Sequence, residues 1–136
     1  PCEVQDVEGL SPADLTVRVR LWTPGRAILV ASVTRESADL LGLCPGLRAL
    51  VLCKATAVEV QAGHEGQTDA IQTAAENELS GEVERVSAGT GQDEVALALQ
   101  GGGHWVGFAV HPFRATPGQP ARARMAHSAL VLALPR

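Results

Sequence analysis

Short runs in which apolar and polar residues alternate, separated by turns rich in glycine and proline, dominate the chain. Residues 15–21 (LTVRVRL) and 94–99 (EVALAL) alternate with the period of a half-buried strand. Each is followed by a turn and a second apolar run, residues 27–33 (AILVASV) and 105–110 (WVGFAV), as in a β-hairpin. The pattern therefore predicts an all-β chain that uses the same hairpin twice.

The repetition extends beyond the hairpins. Residues 1–7 (PCEVQDV) match residues 80–86 (SGEVERV), and the Pro-Gly turn at 45–46 recurs at 117–118. Each Pro-Gly turn introduces a last pair of strands. The sequence thus predicts two copies of one five-stranded unit. A unit of this size with a short helix between its third and fourth strands is typical of an OB-like barrel.

This repeat sets the expected domain boundaries. We predict a first subdomain at residues 1–61 and a second at residues 76–136, each a small OB-like barrel. Residues 62–75 (AGHEGQTDAIQTAA) are small and polar, and we expect them to form a linker with a short helical turn.

A short helix is predicted in the first copy only. Thr34 ends an apolar run and opens residues 35–43, where a Thr-x-x-Ser start, spaced leucines and Gly42 are typical of a capped helix. A helix N-terminus carries unpaired N–H groups and roughly half a positive charge. The hydroxyls of Thr34 and Ser37 and the ammonium of Lys54 would complete a site for a tetrahedral anion. The same residues also fit a structural role, with Thr34 as a helix cap and Lys54 as a solvated strand end.

Composition and charge exclude several classes of function. The 136 residues carry a net charge of -4 with scattered basic residues, and only 3% are aromatic, so a nucleic-acid-binding surface is not expected in this segment. Three cysteines without Cys-x-x-Cys spacing, and histidines without ligand spacing, predict no metal site and a reducing compartment. No apolar run approaches the ~20 residues of a membrane span, which favours a soluble, cytoplasmic protein.

Enzymatic activity is not predicted. The sequence shows no paired nucleophile and base, no carboxylate pair and no phosphate-binding loop, so we assign no catalytic residue.

Four segments together resemble the molybdate-binding Mop (TOBE-type) domain. They are residues 33–38 (VTRESA), 41–46 (LGLCPG), 52–55 (LCKA) and 77–81 (NELSG). The resemblance covers nearly the whole chain as two tandem copies and is greatest to the C-terminal effector half of molybdate-responsive transcriptional regulators. It implies an oligomer with oxyanion sites at subunit interfaces and no catalytic activity.

Position by position, the resemblance assigns the anion contacts. Thr34, Ser37 and Lys54 would bind the anion, and the backbone around Cys53 and Ala55 would line the pocket. The implied ligand is molybdate or tungstate, with no redox cofactor. The family also uses a Ser-Ala-Arg-Asn segment before the first strand, which would lie upstream of Pro1 and is absent from this chain, so the chain is expected to be a piece of a longer protein.

The second copy departs from the family in its binding residues. Residues 74–77 are Ala-Ala-Glu-Asn in place of Ser-Ala-Arg-Asn, and Ala126 stands at the position of Lys54. Only six residues, 111–116, occupy the interval that eleven residues, 34–44, fill in the first copy, so no helix is expected there. The second copy is therefore predicted to be structural.

Three functional classes follow from the resemblance. The leading class is the oxyanion sensor of a transcription factor, a homodimer that would reach DNA only through an upstream domain absent from this chain. The second is a free-standing molybdate-binding or storage protein. The third is the regulatory C-terminal domain of the ATPase subunit of a molybdate importer.

Overall fold

The computed structural model describes residues 2–9, 15–63 and 76–135. These residues form ten strands and one α-helix: β1 (Cys2–Glu8), β2 (Thr16–Trp22), β3 (Ile28–Thr34), α1 (Arg35–Leu41), β4 (Arg48–Leu52), β5 (Glu59–Ala62), β6 (Glu76–Ser87), β7 (Gln92–Leu99), β8 (His104–Val110), β9 (Pro120–Ala126) and β10 (Val131–Ala133). The all-β prediction with one short helix in the first copy is confirmed for this part of the chain. The predicted linker falls mostly at residues 64–75, outside the described residues.

The chain divides into two compact units. Unit 1 comprises Pro1–Cys53 and His127–Arg136, and unit 2 comprises Lys54–Ala126. The strands of unit 1 form one sheet in the order β10-β4-β1-β2-β3, and those of unit 2 form a closed barrel in the order β5-β8-β7-β6-β9. Each unit therefore contains five strands, the number that the repeat predicts.

Alternation of small aliphatic residues builds both cores. In β2 the side chains of Val17, Val19 and Leu21 are buried and the residues between them are exposed. In β7 the inward positions include Val95 and Leu97, both fully buried. A strand that buries every second side chain places its apolar residues on one face, which here packs into the core of its own unit.

The two units share irregular features as well as strands. Both β1 and β6 contain a bulge, after Val4 and after Val83, so that two residues oppose one on the neighbouring strand. The Pro-Gly turns also coincide, because the N–H of Gly46 donates to the carbonyl of Val4, and the N–H of Gly118 donates to that of Val83, each at 2.8 Å. These shared details support the internal repeat.

The last strand of each sequence repeat lies in the unit formed by the other repeat. β5 follows β4 in the chain but pairs with β8 and β9 in unit 2, whereas β10 follows β9 but pairs with β4 in unit 1. The repeat boundaries predicted at 1–61 and 76–136 and the spatial units thus describe different divisions of the chain. Spacing along the sequence defines the repeats, and strand pairing defines the units.

A close approach of two segments holds β5 in the barrel. The N–H of Phe108 donates to the carbonyl of Val58 at 3.0 Å. A Cβ placed on Gly107 would lie 2.6 Å from a methyl carbon of Val58, so only glycine admits this packing.

The described helix, α1, is too short and too polar to cross a membrane.

Candidate functional site

Thr34 caps the N-terminus of α1. Its backbone is extended (φ -72°, ψ 150°), and its Oγ1 accepts a hydrogen bond from the N–H of Ser37 at 3.0 Å. At the other end Gly42 adopts a left-handed conformation (φ 65°), and the N–H of Leu43 donates to the carbonyl of Ala38 at 3.0 Å. The helix predicted at residues 35–43 therefore begins as expected but ends at Leu41, because Gly42 leaves the helical conformation.

The two hydroxyls predicted to bind an anion lie side by side. The hydroxyl of Thr34 donates to Oγ of Ser37 at 2.9 Å, and both side chains are exposed. Because Thr34 has one hydroxyl proton, this bond occupies it, whereas the hydroxyl proton of Ser37 has no acceptor among the described residues. Ser37 is thus the direct donor that the pair offers, and Thr34 orients it.

Charges near this helix start act in opposite directions on an anion. The N–H of Arg35 donates to the carbonyl of Leu15 at 2.8 Å and that of Ser37 donates to Thr34, so the attraction of negative charge rests on the helix dipole and the remaining N–H groups of the first turn. Glu36, exposed in the first turn, stabilises the helix by the same interaction and repels an incoming anion. A separate cation is therefore required for tight binding here, and Lys54 is the residue predicted to supply it.

Lys54 is the single lysine of the chain. It is exposed and extended (φ -67°, ψ 137°), and its carbonyl accepts from the N–H of Ala57 to start a 3-10 turn at Ala55–Ala57. Lys54 and Ala55 belong to unit 2, whereas Thr34, Ser37 and Cys53 belong to unit 1. The structure thus shows hydrogen bonds between Thr34 and Ser37. That Lys54 lies close to these two residues stays a prediction.

Cys53, the residue before Lys54, carries a neutral thiol. Burial raises the pKa of the Cys53 thiol above its usual value, so it stays protonated at neutral pH. Within residues 2–9, 15–63 and 76–135, no group of three or more histidine, cysteine or acidic residues could hold a metal ion.

The second copy replaces the helix with a loop built on a buried carboxylate. The register pairs Thr34 with Thr16 and Val110 with Gln92, so Val110 stands where the first copy has its capping threonine, one residue earlier than the spacing to the Pro-Gly turns indicated. One step inward, Asp93 takes the position of buried Val17. Residues 111–116 form no helix, as predicted.

Asp93 organises the loop that follows β8. It is 3% exposed and accepts hydrogen bonds from the N–H groups of Phe113 and Gly89, both at 2.9 Å, and from Nδ1 of His111 at 2.8 Å. These donors, the Phe113 N–H first among them, lower the pKa of the Asp93 carboxyl from 3.8 to about 2. Sequence reasoning missed Asp93, although an acidic residue at an inward position of an alternating strand was the available signal.

We expect removal of the Thr34 cap of α1 to destabilise the fold, even when no ligand is bound. Thr34→Ala should lower the free energy of unfolding by about 1 kcal/mol, the usual loss for a threonine cap, as measured by urea denaturation. Ser37→Ala is the matched control, because the cap uses its backbone N–H, and it should stay within about 0.5 kcal/mol of the parent chain. Equal losses in both variants would contradict this role of Thr34.

The Asp93 carboxylate should make stability depend on pH in the acidic range. Its folded-state pKa, about 2, lies below its ordinary value of 3.8, so ionisation stabilises the fold above about pH 4 and this contribution disappears as the pH falls through 2. Asp93→Asn should lower stability at neutral pH and flatten the pH profile of unfolding. Thr90→Ala, in the exposed turn between β6 and β7, should keep the pH profile of the parent chain. If the stability of Asp93→Asn depends on pH as that of the parent chain does, Asp93 is not the group responsible.

Known proteins resemble this chain in sequence and in fold. Residues 1–60 match the TOBE domain family. The chain is 37% identical over 83 residues to the transcriptional regulator ModE of Yersinia pestis, a match that covers 60% of this chain and 29% of the regulator. The structure of the cytoplasmic molybdate-binding protein ModG, solved with molybdate bound, matches with a TM-score of 0.82 at 27% identity, covering 98% of this chain and 93% of ModG. Residues 1–60 therefore carry the TOBE domain sequence, and nearly the whole chain shares the fold of ModG.

Proposed function

We propose that this chain binds molybdate or tungstate as an oxyanion ligand and has no catalytic or redox role. The observation that carries the proposal is the match of nearly the whole chain to ModG, a structure with molybdate bound. The family and relatives that match are binding and regulatory proteins. ModG is described as cytoplasmic, and we place the function of this chain in the same compartment.

The proposed site consists of Thr34, Ser37 and Lys54, with the backbone at Cys53 and Ala55. The orientation of Ser37 by Thr34 supports this set, because a preoriented hydroxyl loses less conformational freedom on binding. The lysine supplies a charge-assisted hydrogen bond to the dianion. In the second copy Val110 and Ala126 replace the threonine and the lysine, so we propose that this copy has no site.

We propose a sensor module of a transcriptional regulator as the specific role. The loss of binding residues from the second copy supports it, since a storage protein is expected to keep both sites. The sequence identity with ModE also supports this role, although the matched stretch spans only 29% of that regulator.

The alternative role is that of a free-standing molybdate-binding protein, and the 93% coverage of ModG favours it. The gene upstream of Pro1 distinguishes them, because a DNA-binding domain there selects the regulator.

We further propose that the chain forms a homodimer through unit 1, so that ligand binding changes dimer packing. Leu52 on β4 and Val131 on β10 are paired neighbours and are 54% and 57% exposed. At the corresponding positions unit 2 has Arg124 and Glu59, a polar pair. Exposed aliphatic pairs of this kind are common at protein interfaces.

Removal of the lysine should weaken molybdate binding. Lys54→Ala should cost about 1.5–3 kcal/mol, or roughly ten- to a hundredfold in affinity, measured by titration calorimetry. Thr34→Ala should cost less, and Arg114→Ala, an exposed cation in unit 2, should change nothing. The comparison is best made on a chain extended upstream of Pro1. If that chain binds molybdate equally well with and without Lys54, the proposed site is wrong.

A charge placed in the apolar pair should dissociate the dimer. Sedimentation equilibrium of this chain at micromolar concentration should show a species larger than 14.2 kDa. Leu52→Arg, which reproduces the arginine of unit 2, should shift it toward monomer, whereas Val110→Arg, at an exposed valine of unit 2, should not. A parent chain that sediments as a pure monomer would refute the dimer.

A further inference from the structure

A groove of about 330 Å³ lies at one end of unit 1, where β1, β2 and β4 meet the turn between β2 and β3. Trp22, Arg26 and Arg48 are among its lining residues, together with Glu3. Thr34, at the start of α1, lies at the far end of β3, about 20 Å along the strand. The groove is therefore separate from the proposed molybdate contacts of unit 1.

Strand register sets the floor of the groove. Glu3 on β1 pairs with Trp22 on β2 and with Arg48 on β4. Directly paired residues of neighbouring strands point to the same face of the sheet, so these three side chains form one row. Their neighbours along the strands, Val4 and Leu21, are buried and face the core. The row therefore lies on the outer face of the sheet, beside solvent.

The turn after β2 holds Arg26 above this row. Its guanidinium carbon lies 5.6 Å from the centre of the Trp22 ring, within cation–π range. The N–H of Arg26 donates to the carbonyl of Thr23 at 2.8 Å, and the N–H of Ala27 donates to the Thr23 hydroxyl at 3.0 Å. Among the described non-glycine residues Arg26 alone has a positive φ, 70°, a conformation that side chains disfavour. The turn thus fixes a guanidinium at a position where glycine would be less strained.

The two arginines of the groove differ from Arg20 and Arg122, which form ion pairs. Arg20 lies 3.8 Å from Asp6, and Arg122 lies 3.5 Å from Glu78. In the described part of the chain, neither Arg26 nor Arg48 forms an ion pair. With Glu3 as the acidic residue of the lining, the groove carries a formal charge of about +1, which matches a monoanion better than a dianion.

We propose that this groove binds an aromatic carboxylate. The carboxylate lies between the guanidinium groups of Arg26 and Arg48, whose planar donors match its two oxygens. The ring of the ligand lies against Trp22, and Glu3 limits the charge that the groove accepts. This site is additional to the proposed oxyanion site and does not depend on it.

The corresponding groove of unit 2 provides an internal comparison. It is larger, about 490 Å³, and keeps an acidic residue, Glu82, at the position of Glu3. Ala98 and Pro120 replace Trp22 and Arg48, as the shared strand register shows. Its described lining residues include no cation and no aromatic ring, so we expect it not to bind an aromatic carboxylate.

Fluorescence of Trp22 tests the proposal directly. Trp105→Phe removes the only other tryptophan, so that emission then reports on Trp22 alone. Titration with benzoate at low ionic strength should give a saturable change with a Kd of about 5 mM or below. Acetate, which lacks the ring, and benzyl alcohol, which lacks the charge, should each bind at least about tenfold more weakly.

Variants separate the roles of the charges. Arg48→Ala and Arg26→Gly should each weaken benzoate binding about tenfold, and glycine suits the positive φ of residue 26. Glu3→Gln should tighten binding several-fold, because it removes the repelling carboxylate. Arg18→Ala, on the same face of β2 but farther along the strand, is the matched control and should leave the affinity unchanged. Arg48→Gln, which keeps most of the side-chain stem, replaces Arg48→Ala if that variant does not fold.

Three results would overturn the proposal. They are an emission change that does not saturate, equal affinities for benzoate and acetate, and a Kd that the Arg48 and Arg26 variants leave unchanged. Failure of Glu3→Gln to tighten binding would refute the assigned charge balance and, with it, the preference for a monoanion. Lys54→Ala should bind benzoate as the parent chain does, so the outcome is independent of the molybdate site.

Discussion

The pairing of β5 with β8 and β9 is the interaction on which the rest of this structure depends. It closes the barrel of unit 2 with a strand from the first repeat, while β10 of the second repeat completes the sheet of unit 1. The chain passes from one unit to the other at Cys53 and Lys54, where the resemblance places part of the oxyanion site. Cys53 therefore belongs to unit 1 and Lys54 to unit 2.

The two units have equivalent strands but differ in the segment that follows the third strand of each repeat. The bulges after Val4 and Val83 and the Pro-Gly turns keep equivalent hydrogen bonds in both units. The first copy then forms a capped helix. In the second copy the buried carboxylate of Asp93 accepts from the N–H of Phe113, in the loop after β8, and from the N–H of Gly89, in the turn between β6 and β7. The inserted segments can change chemistry because the strands that flank them are held by pairing and burial elsewhere.

Sequence reasoning reached the features that depend on local chemistry. Periodicity located the hairpins, and Thr34 and Gly42 marked the ends of α1, because capping and a left-handed stop are properties of a few adjacent residues. The strand exchange was not predictable, since β5 and β10 have short, similar patterns that suit either unit, and long-range pairing decides between them. Asp93 was missed because β7 begins at Gln92, before the alternating run that was recognised at residue 94. The groove at Trp22 depends on cross-strand register, which alternation alone does not give.

The exchange of final strands has a consequence for how such a molecule assembles. A protein with one copy of this fold would have to obtain its fifth strand from a second chain, and its folding would then depend on protein concentration. Here one polypeptide carries both partners, so each missing strand is delivered at the high effective concentration of a tethered segment. Duplication in tandem thus converts a bimolecular requirement for folding into a unimolecular one. It also allows the segment after β8 to differ from α1, because the contribution of the second copy to folding alone preserves its strands.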